Sequence, residues 1–315
     1  MAKLRGDKDL SCETLARFDL RSEYLDFLSN HRGLAQNTVN MRRHDVTAFM
    51  KSLQFSNDKE DIKKISVSQI YDCIIRAMKH MSRPTRKQFT TSIRSFLKFA
   101  HLKGYIPKDI AEAVPVVETV KLAHIPRGIS WEAVEKLLAV AANNRRTHTG
   151  RRTYAILQLL ASYGVRIGQV KTLCLQDIDW RKGTIHFRAS KFGNPLCFPL
   201  YPAVAAALLD YIEKTRGKAP YPEVFLSVIC DPVPVGNGYT FSTSIKTCFR
   251  NAGITGKSTH AIRHAFATRL MEHETPIKTI SDLLGHKSIR HTFIYTKVDL
   301  KHLRLLAYEW PEVRS

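Results

Sequence analysis

The 315-residue chain lacks any run of 18 or more apolar residues, the length a membrane-spanning helix needs, and its opening stretch MAKLRGDKDL has no apolar signal core. Both absences point to a soluble protein of the cytoplasm. Its six cysteines (Cys12, Cys73, Cys174, Cys197, Cys230, Cys248) form no C-x-x-C pair, which argues against a zinc site and against a disulfide framework; reduced, mostly buried thiols are expected. No internal repeat and no low-complexity tract is present, so solenoids and disordered arrays are set aside. Negative charge is also scarce: 28 Asp and Glu stand against 49 Lys and Arg, a formal net charge of +21.

With 44% hydrophobic residues, the chain has the means to bury a full core, and its length suits two domains. The charge surplus favours a polyanionic partner, either nucleic acid or an anionic membrane surface. It is shared between both halves, +9 over residues 1–110 and +12 over residues 111–315, so this is no neutral enzyme with a basic tail.

Residues 19–104 read as four helices. Leu20, Tyr24, Phe27 and Leu28 form one apolar face; Val39, Val46, Phe49, Met50 and Leu53 form a second, with Asn37 or Thr38 as its cap. Ile70, Cys73, Ile74, Ala77 and Met78 form a third, and Phe89, Ile93, Phe96, Leu97 and Ala100 a fourth that stops at Gly104. Residues 107–128 carry Pro107, Pro115 and Pro126 without sustained periodicity and read as a linker. A second domain opens with a helix capped by Ser130. A basic loop, NNRRTHTGRR (143–152), and a buried helix over 154–164 follow. Alternation in TIHFRASK and PLCFPL predicts a hairpin or three-stranded sheet over 184–200, turning at Phe192-Gly193-Asn194. Helices are expected again over 202–216, about 240–252, 259–273, 276–284 and 288–294.

The chemically rich positions lie in the second domain. His260 and Arg263, three apart, share a helix face; Leu284-Gly285-His286 brings an imidazole out at a helix end; Tyr295 follows nine residues later. Together with Arg166 in a turn after the buried helix and Lys191 in the hairpin, they suit metal-free transfer of a phosphoryl group from DNA to a tyrosine oxygen. Guanidinium forks stabilise charge on the non-bridging oxygens. A tyrosine of pKa about 10 is only ~0.1% ionised at pH 7, a deficit of about 4 kcal/mol that neighbouring histidine and arginine offset. A lysine at the scissile phosphate can protonate the leaving oxygen.

Taken in order, Gly164-Val-Arg166-Ile-Gly-Gln169, Ser190-Lys191-Phe-Gly193, His260-Ala-Ile-Arg263-His264, Leu284-Gly285-His286 and Tyr295 resemble the motifs of the tyrosine recombinases, the phage-integrase-like site-specific recombinases. Nearly the whole chain is covered. The resemblance implies a mainly α fold with a small antiparallel β-sheet: an N-terminal four-helix, SAM-like core-binding domain (1–110), a linker (111–129) and an α+β catalytic domain with a C-terminal tail (130–315).

It further implies that Tyr295 is the nucleophile forming a 3′-phosphotyrosyl bond. Arg166 and Arg263 clamp the phosphate, Lys191 is the general acid, His260 assists proton transfer and His286 hydrogen-bonds the phosphate. His264 is held as a supporting residue. No cofactor or metal is implied. The implied partners are a double-stranded DNA recombination site, a homotetramer on two such sites built from a free monomer or weak oligomer, and accessory recombination proteins; the implied location is the cytoplasm, at the nucleoid. The apolar tail segment LRLLAYEW (303–310) is expected to dock on a neighbouring subunit. Expected phosphate contacts are Arg42, Arg43, Arg83, Arg86 and Lys87 in the first domain and Arg145, Arg146, Arg151 and Arg152 in the second. One departure stands out: Gln169 occupies a position that is usually acidic. The competing functions are a type IB topoisomerase-like nicking-closing enzyme and a catalytically silent DNA-binding paralogue.

Overall fold

Asp19 opens the first helix: its carboxylate accepts the Arg21 and Ser22 amides at 3.1 and 3.3 Å. In the computed structural model, residues 19–54, 62–118, 128–189, 194–227, 232–234, 239–286, 288–289 and 292 are described. The chain divides into two units, Met1–Ala123 and His124–Ser315.

The first unit packs α1 (Leu20–Asp26, closed by a π-turn at Phe27–His31), α2 (Gln36–Ser52), α3 (Val67–Met78) and α4 (Arg83–Leu102) around one core. Each expected apolar face is turned inward; Tyr24, Val46, Phe49, Ile70, Cys73, Ile93 and Leu97 are almost fully buried. Asn37 and Thr38 lie inside α2 rather than capping it, since the helix begins after Ala35. Asp45 of α2 is buried because α4 satisfies it: Ser92 Oγ donates at 2.7 Å.

The second unit is organised on α6 (His148–Tyr163), whose residues Ala155, Ile156, Leu157, Leu159 and Leu160 are buried. Around it pack α5 (Trp131–Asn143), α8 (Pro202–Tyr211), α9 (Tyr239–Asn251) and α10 (Thr259–Glu272). Short α7 (Ile167–Lys171) carries Gln169, and short α11 (Ile277–Leu283) leads into Leu284 and His286. A three-stranded antiparallel sheet, β1 (Ile178–Asp179), β2 (Thr184–Phe187) and β3 (Leu196–Pro199), runs in sequence order. Ile185 pairs with Phe198 and Phe187 with Leu196, which turns Ile185, Phe187 and Phe198 into the core. Ala189 is exposed and lies beyond the end of β2. The Phe192-Gly193 part of the turn and the expected helix over 288–294 fall outside the described residues or largely so.

The expected loop over 143–152 is shorter. Thr147 caps α6 by accepting the Gly150 amide at 3.0 Å, and helix runs from His148 onward. Gly150 is required there, because a Cβ would fall 1.8 Å from the Asn144 carbonyl oxygen.

That earlier start decides where two arginines point. Arg152 is 1% exposed, donates to the Leu226 carbonyl at 2.8 Å and lies 5.3 Å from the Phe241 ring centroid. It is a core cation and is withdrawn as a phosphate contact. Arg151 is half-buried and pairs with Asp210 at 3.7 Å. Arg145 and Arg146 remain exposed.

Gly164 ends α6 in the left-handed conformation (φ 58°), and a Cβ there would lie 2.4 Å from Phe266. Gly164→Ala is therefore expected to destabilise the second unit by about 2–4 kcal/mol, combining backbone strain with overpacking. Chemical denaturation checks this; a change under 1 kcal/mol would contradict it.

Candidate active site

The buried α6 delivers the site. Its left-handed exit at Gly164 turns the chain sharply into Val165 and Arg166, and Arg166 stands at the N-terminus of α7. Across from this turn, α10 presents Arg263, which is 5% exposed. One Arg263 nitrogen, Nη1, donates to the Gly164 carbonyl at 2.8 Å; Nη2 donates to the Leu284 carbonyl at 2.8 Å and meets His286 Nε2 at 2.9 Å. A buried guanidinium held by two carbonyls and an imidazole cannot rotate away from its position.

Because arginine only donates, His286 Nε2 is the acceptor, which assigns the ring proton to Nδ1; Nδ1 then donates to Thr292 Oγ1 at 2.8 Å. The phosphate contact implied for His286 would need Nε2 to carry a proton and leave Arg263. In this arrangement His286 holds Arg263 in place.

His260 lies one turn before Arg263 on α10, at the open side of the site. Lost hydration lowers its pKa below the ordinary 6.5, and the charges of Arg263 and then Arg166 lower it further, so Arg166 lies within electrostatic reach of the ring. His264 shifts in the same direction, first by burial and then through His260, Arg263 and Lys257. Both imidazoles are more basic in the unfolded chain. Their contribution to folding is thus present above pH 6.5 and lost as pH falls below it.

Gln169 is 2% exposed and bridges two elements. Its Oε1 accepts the Arg166 amide at 3.1 Å, and its Nε2 donates to the Arg188 carbonyl at 3.3 Å. A carboxylate at this position could accept the first bond but, ionised, could not donate the second. Arg188 precedes the hairpin loop, and Asn194 follows it: the Asn194 carbonyl oxygen lies 3.3 Å from where a Cβ on Gly285 would be, and Gly285 has φ 61°. The residues that flank the loop thus meet the site at two points, Arg188 at Gln169 beside the Arg166 turn and Asn194 at Gly285. Lys191 and Tyr295 themselves lie outside the described residues, as do the 303–310 tail, Cys12 and Cys230.

Arg166, His260, Arg263 and His286 are thus brought together. Sequence reasoning missed the Gly164 and Leu284 carbonyls as the acceptors that position Arg263, and Thr292 as the partner of His286. Backbone acceptors leave no trace in residue identity; Thr292, six residues after the histidine, had no motif to mark it.

Residues 129–302 match the phage integrase family and residues 22–104 the phage integrase N-terminal SAM-like domain; the chain belongs to this family. It is 33% identical to the integrase/recombinase-type protein y4rA of Sinorhizobium fredii, over 91% of this chain and 70% of that one. It is 28% identical to the tyrosine recombinase XerD of Listeria monocytogenes, over 91% and 96%. In fold it is similar to a lambda integrase crystallised as a tetramer bound to a Holliday junction, with TM-score 0.67, 17% identity and coverage of 94% and 79%.

Proposed function

We propose that this chain performs site-specific DNA recombination by cutting and rejoining strands through Tyr295. The Tyr295 oxygen attacks the scissile phosphorus, a Tyr–O–P bond forms, and the P–O5′ bond breaks. The tyrosine proton passes to His260, and Lys191 supplies a proton to the departing 5′ oxygen. Attack by a 5′-hydroxyl on the phosphotyrosyl bond reverses each transfer and rejoins the strand. Arg166 and Arg263 stabilise the phosphoryl charge, and His286 keeps Arg263 aimed. The phosphotyrosyl link retains the energy of the broken phosphodiester, so no ATP is needed, and Arg166 and Arg263 supply the charge stabilisation that a metal ion would otherwise give.

The observation that carries this reading is the Arg263 guanidinium, buried and fixed between Gly164, Leu284 and His286 within electrostatic reach of Arg166's neighbour His260. The working assembly is read as a tetramer on paired duplex sites, a lambda integrase of similar fold having been crystallised as a tetramer on a Holliday junction; the cytoplasm as its place and accessory proteins that set direction belong to the same reading. Exposed Arg43, Arg83, Lys87, Arg145 and Arg146 stay candidate phosphate contacts, as do Arg42, Arg86 and Arg151. Arg42 and Arg86 are half-buried, Arg86 donating to the Met81 carbonyl at 2.9 Å.

A suicide duplex nicked beside the cleavage point tests the proposal. A protein–DNA adduct that survives denaturation is expected with EDTA present and no nucleotide; its absence with a cognate site would overturn the enzymatic reading, and site-independent relaxation of plasmid would favour a topoisomerase. The lowered His260 pKa adds a second expectation. If neutral His260 takes the tyrosine proton, the acid limb of kcat/KM for cleavage lies below pH 6.5. A limb at or above pH 6.5 would remove His260 from that role.

A further inference from the structure

Thr292 is wholly buried, and its hydroxyl faces the site: Oγ1 lies 2.8 Å from His286 Nδ1. The backbone there closes without help from the side chain, since the Thr292 amide donates to the Ile289 carbonyl at 2.8 Å. A buried hydroxyl needs a hydrogen-bond partner in place of water, and the one described is the site imidazole.

The His286 ring is held from three directions. Its own amide donates to the Ser281 carbonyl at 3.0 Å, which fixes the main chain and leaves the ring only its side-chain torsions. Nε2 accepts from Arg263 at 2.9 Å, and Nδ1 donates to Thr292 at 2.8 Å. Bonds at opposite edges of one ring fix its plane as well as its proton. With the Thr292 oxygen removed, the Nδ1 proton loses its acceptor, and the ring can regain one only by turning, which takes Nε2 off the line to Arg263. Arg263 would then keep the Gly164 and Leu284 carbonyls but lose the acceptor that aligns Nη2.

We propose that Thr292 is a positioning residue for strand cleavage, acting through His286 to hold Arg263 at the scissile phosphate. The proposal rests on the recombinase reading above and extends it by one residue. Thr292 also stands three places before Tyr295 in the chain, so the same bond ties the segment that leads to the nucleophile to the group that holds the phosphate.

Two substitutions separate this role from simple packing. Thr292→Val keeps the β-branched shape and removes the hydroxyl; Thr292→Ser keeps the hydroxyl and removes the methyl group. Single-turnover cleavage of the suicide duplex at saturating protein is expected to slow by about 10–100-fold in the valine variant, and the serine variant should recover most of that rate. Duplex affinity should change by less than about twofold in either. Thr292→Ala, which also lacks the hydroxyl, replaces the valine variant if the latter melts below the assay temperature. In a His286→Phe background the valine change should cost no more than about threefold, because a residue that acts through an absent ring has nothing left to position. Nitrogen NMR of the His286 ring without DNA, assigned by its absence from the phenylalanine variant, should show the proton on Nδ1 in the parent and the serine variant and a lost or exchanging signal in the valine variant. Valine cleaving within about threefold of the parent, serine losing as much as valine, or an undiminished valine effect in the phenylalanine background would each overturn the proposal. So would an Nε2 proton in the parent ring. Absence of adduct from the unsubstituted chain overturns the recombinase reading and, with it, the role in cleavage; the ring spectra, which need no DNA, then decide the Thr292–His286 bond by themselves.

Discussion

Tyr295→Phe is expected to abolish the covalent protein–DNA adduct completely while leaving duplex binding and its salt dependence intact. The substitution removes one oxygen and almost no volume. Phosphorus then has no oxygen at position 295 to bond. The phosphate contacts, by contrast, come from side chains that the change does not touch. The comparison is a denaturing gel of adduct on the nicked duplex beside a binding titration at two salt concentrations. Adduct at even a few per cent of the parent level would mean that another residue is the nucleophile and would remove Tyr295 from the mechanism.

Arg263→Lys should be the next most damaging change, and it should act on stability and on catalysis by different amounts. Arginine at this position satisfies the Gly164 carbonyl, the Leu284 carbonyl and His286 Nε2 with two nitrogens about 2.3 Å apart in a rigid plane. One ammonium cannot span these three acceptors, so at least one buried carbonyl loses its partner, costing about 1–3 kcal/mol of folding free energy. Cleavage should fall further, by roughly 10²–10³-fold, because a cation fixed beside the developing phosphoryl charge is replaced by one that is no longer held. Thermal melting and single-turnover cleavage at saturating protein separate the two effects. A cleavage rate within threefold of the parent would rule out Arg263 as a phosphate clamp.

Much of the architecture was legible because its signals are local. The 3.6-residue periodicity of Ile70–Met78 and Phe89–Ala100, and the alternation of Ile185, Phe187, Leu196 and Phe198, report which side of an element must be buried, and burial is what the elements achieve. The errors arose where local signals compete. NNRRTHTGRR is polar enough to read as a loop, yet the Thr147 cap and the close approach permitted by Gly150 extend the helix back to His148. That extension rotates Arg152 into the core beside Phe241, where the Leu226 carbonyl accepts a hydrogen bond from it. Arginine in a basic run reads as surface; only the packing of distant residues 226 and 241 decides otherwise.

The site divides in the same way. The order and spacing of Arg166, Lys191, His260, Arg263, His286 and Tyr295 are properties of the chain itself, and with them the class of chemistry and the polyanionic partner, because those depend on which functional groups exist and how far apart a helix or turn can hold them. What tertiary structure decided is which group each one faces. His286 turns to Arg263 rather than outward, and Gln169 joins the Arg166 turn to Arg188. Hydrogen-bond pairing depends on distance in space, and in this protein the elements that set those distances come from segments remote in sequence.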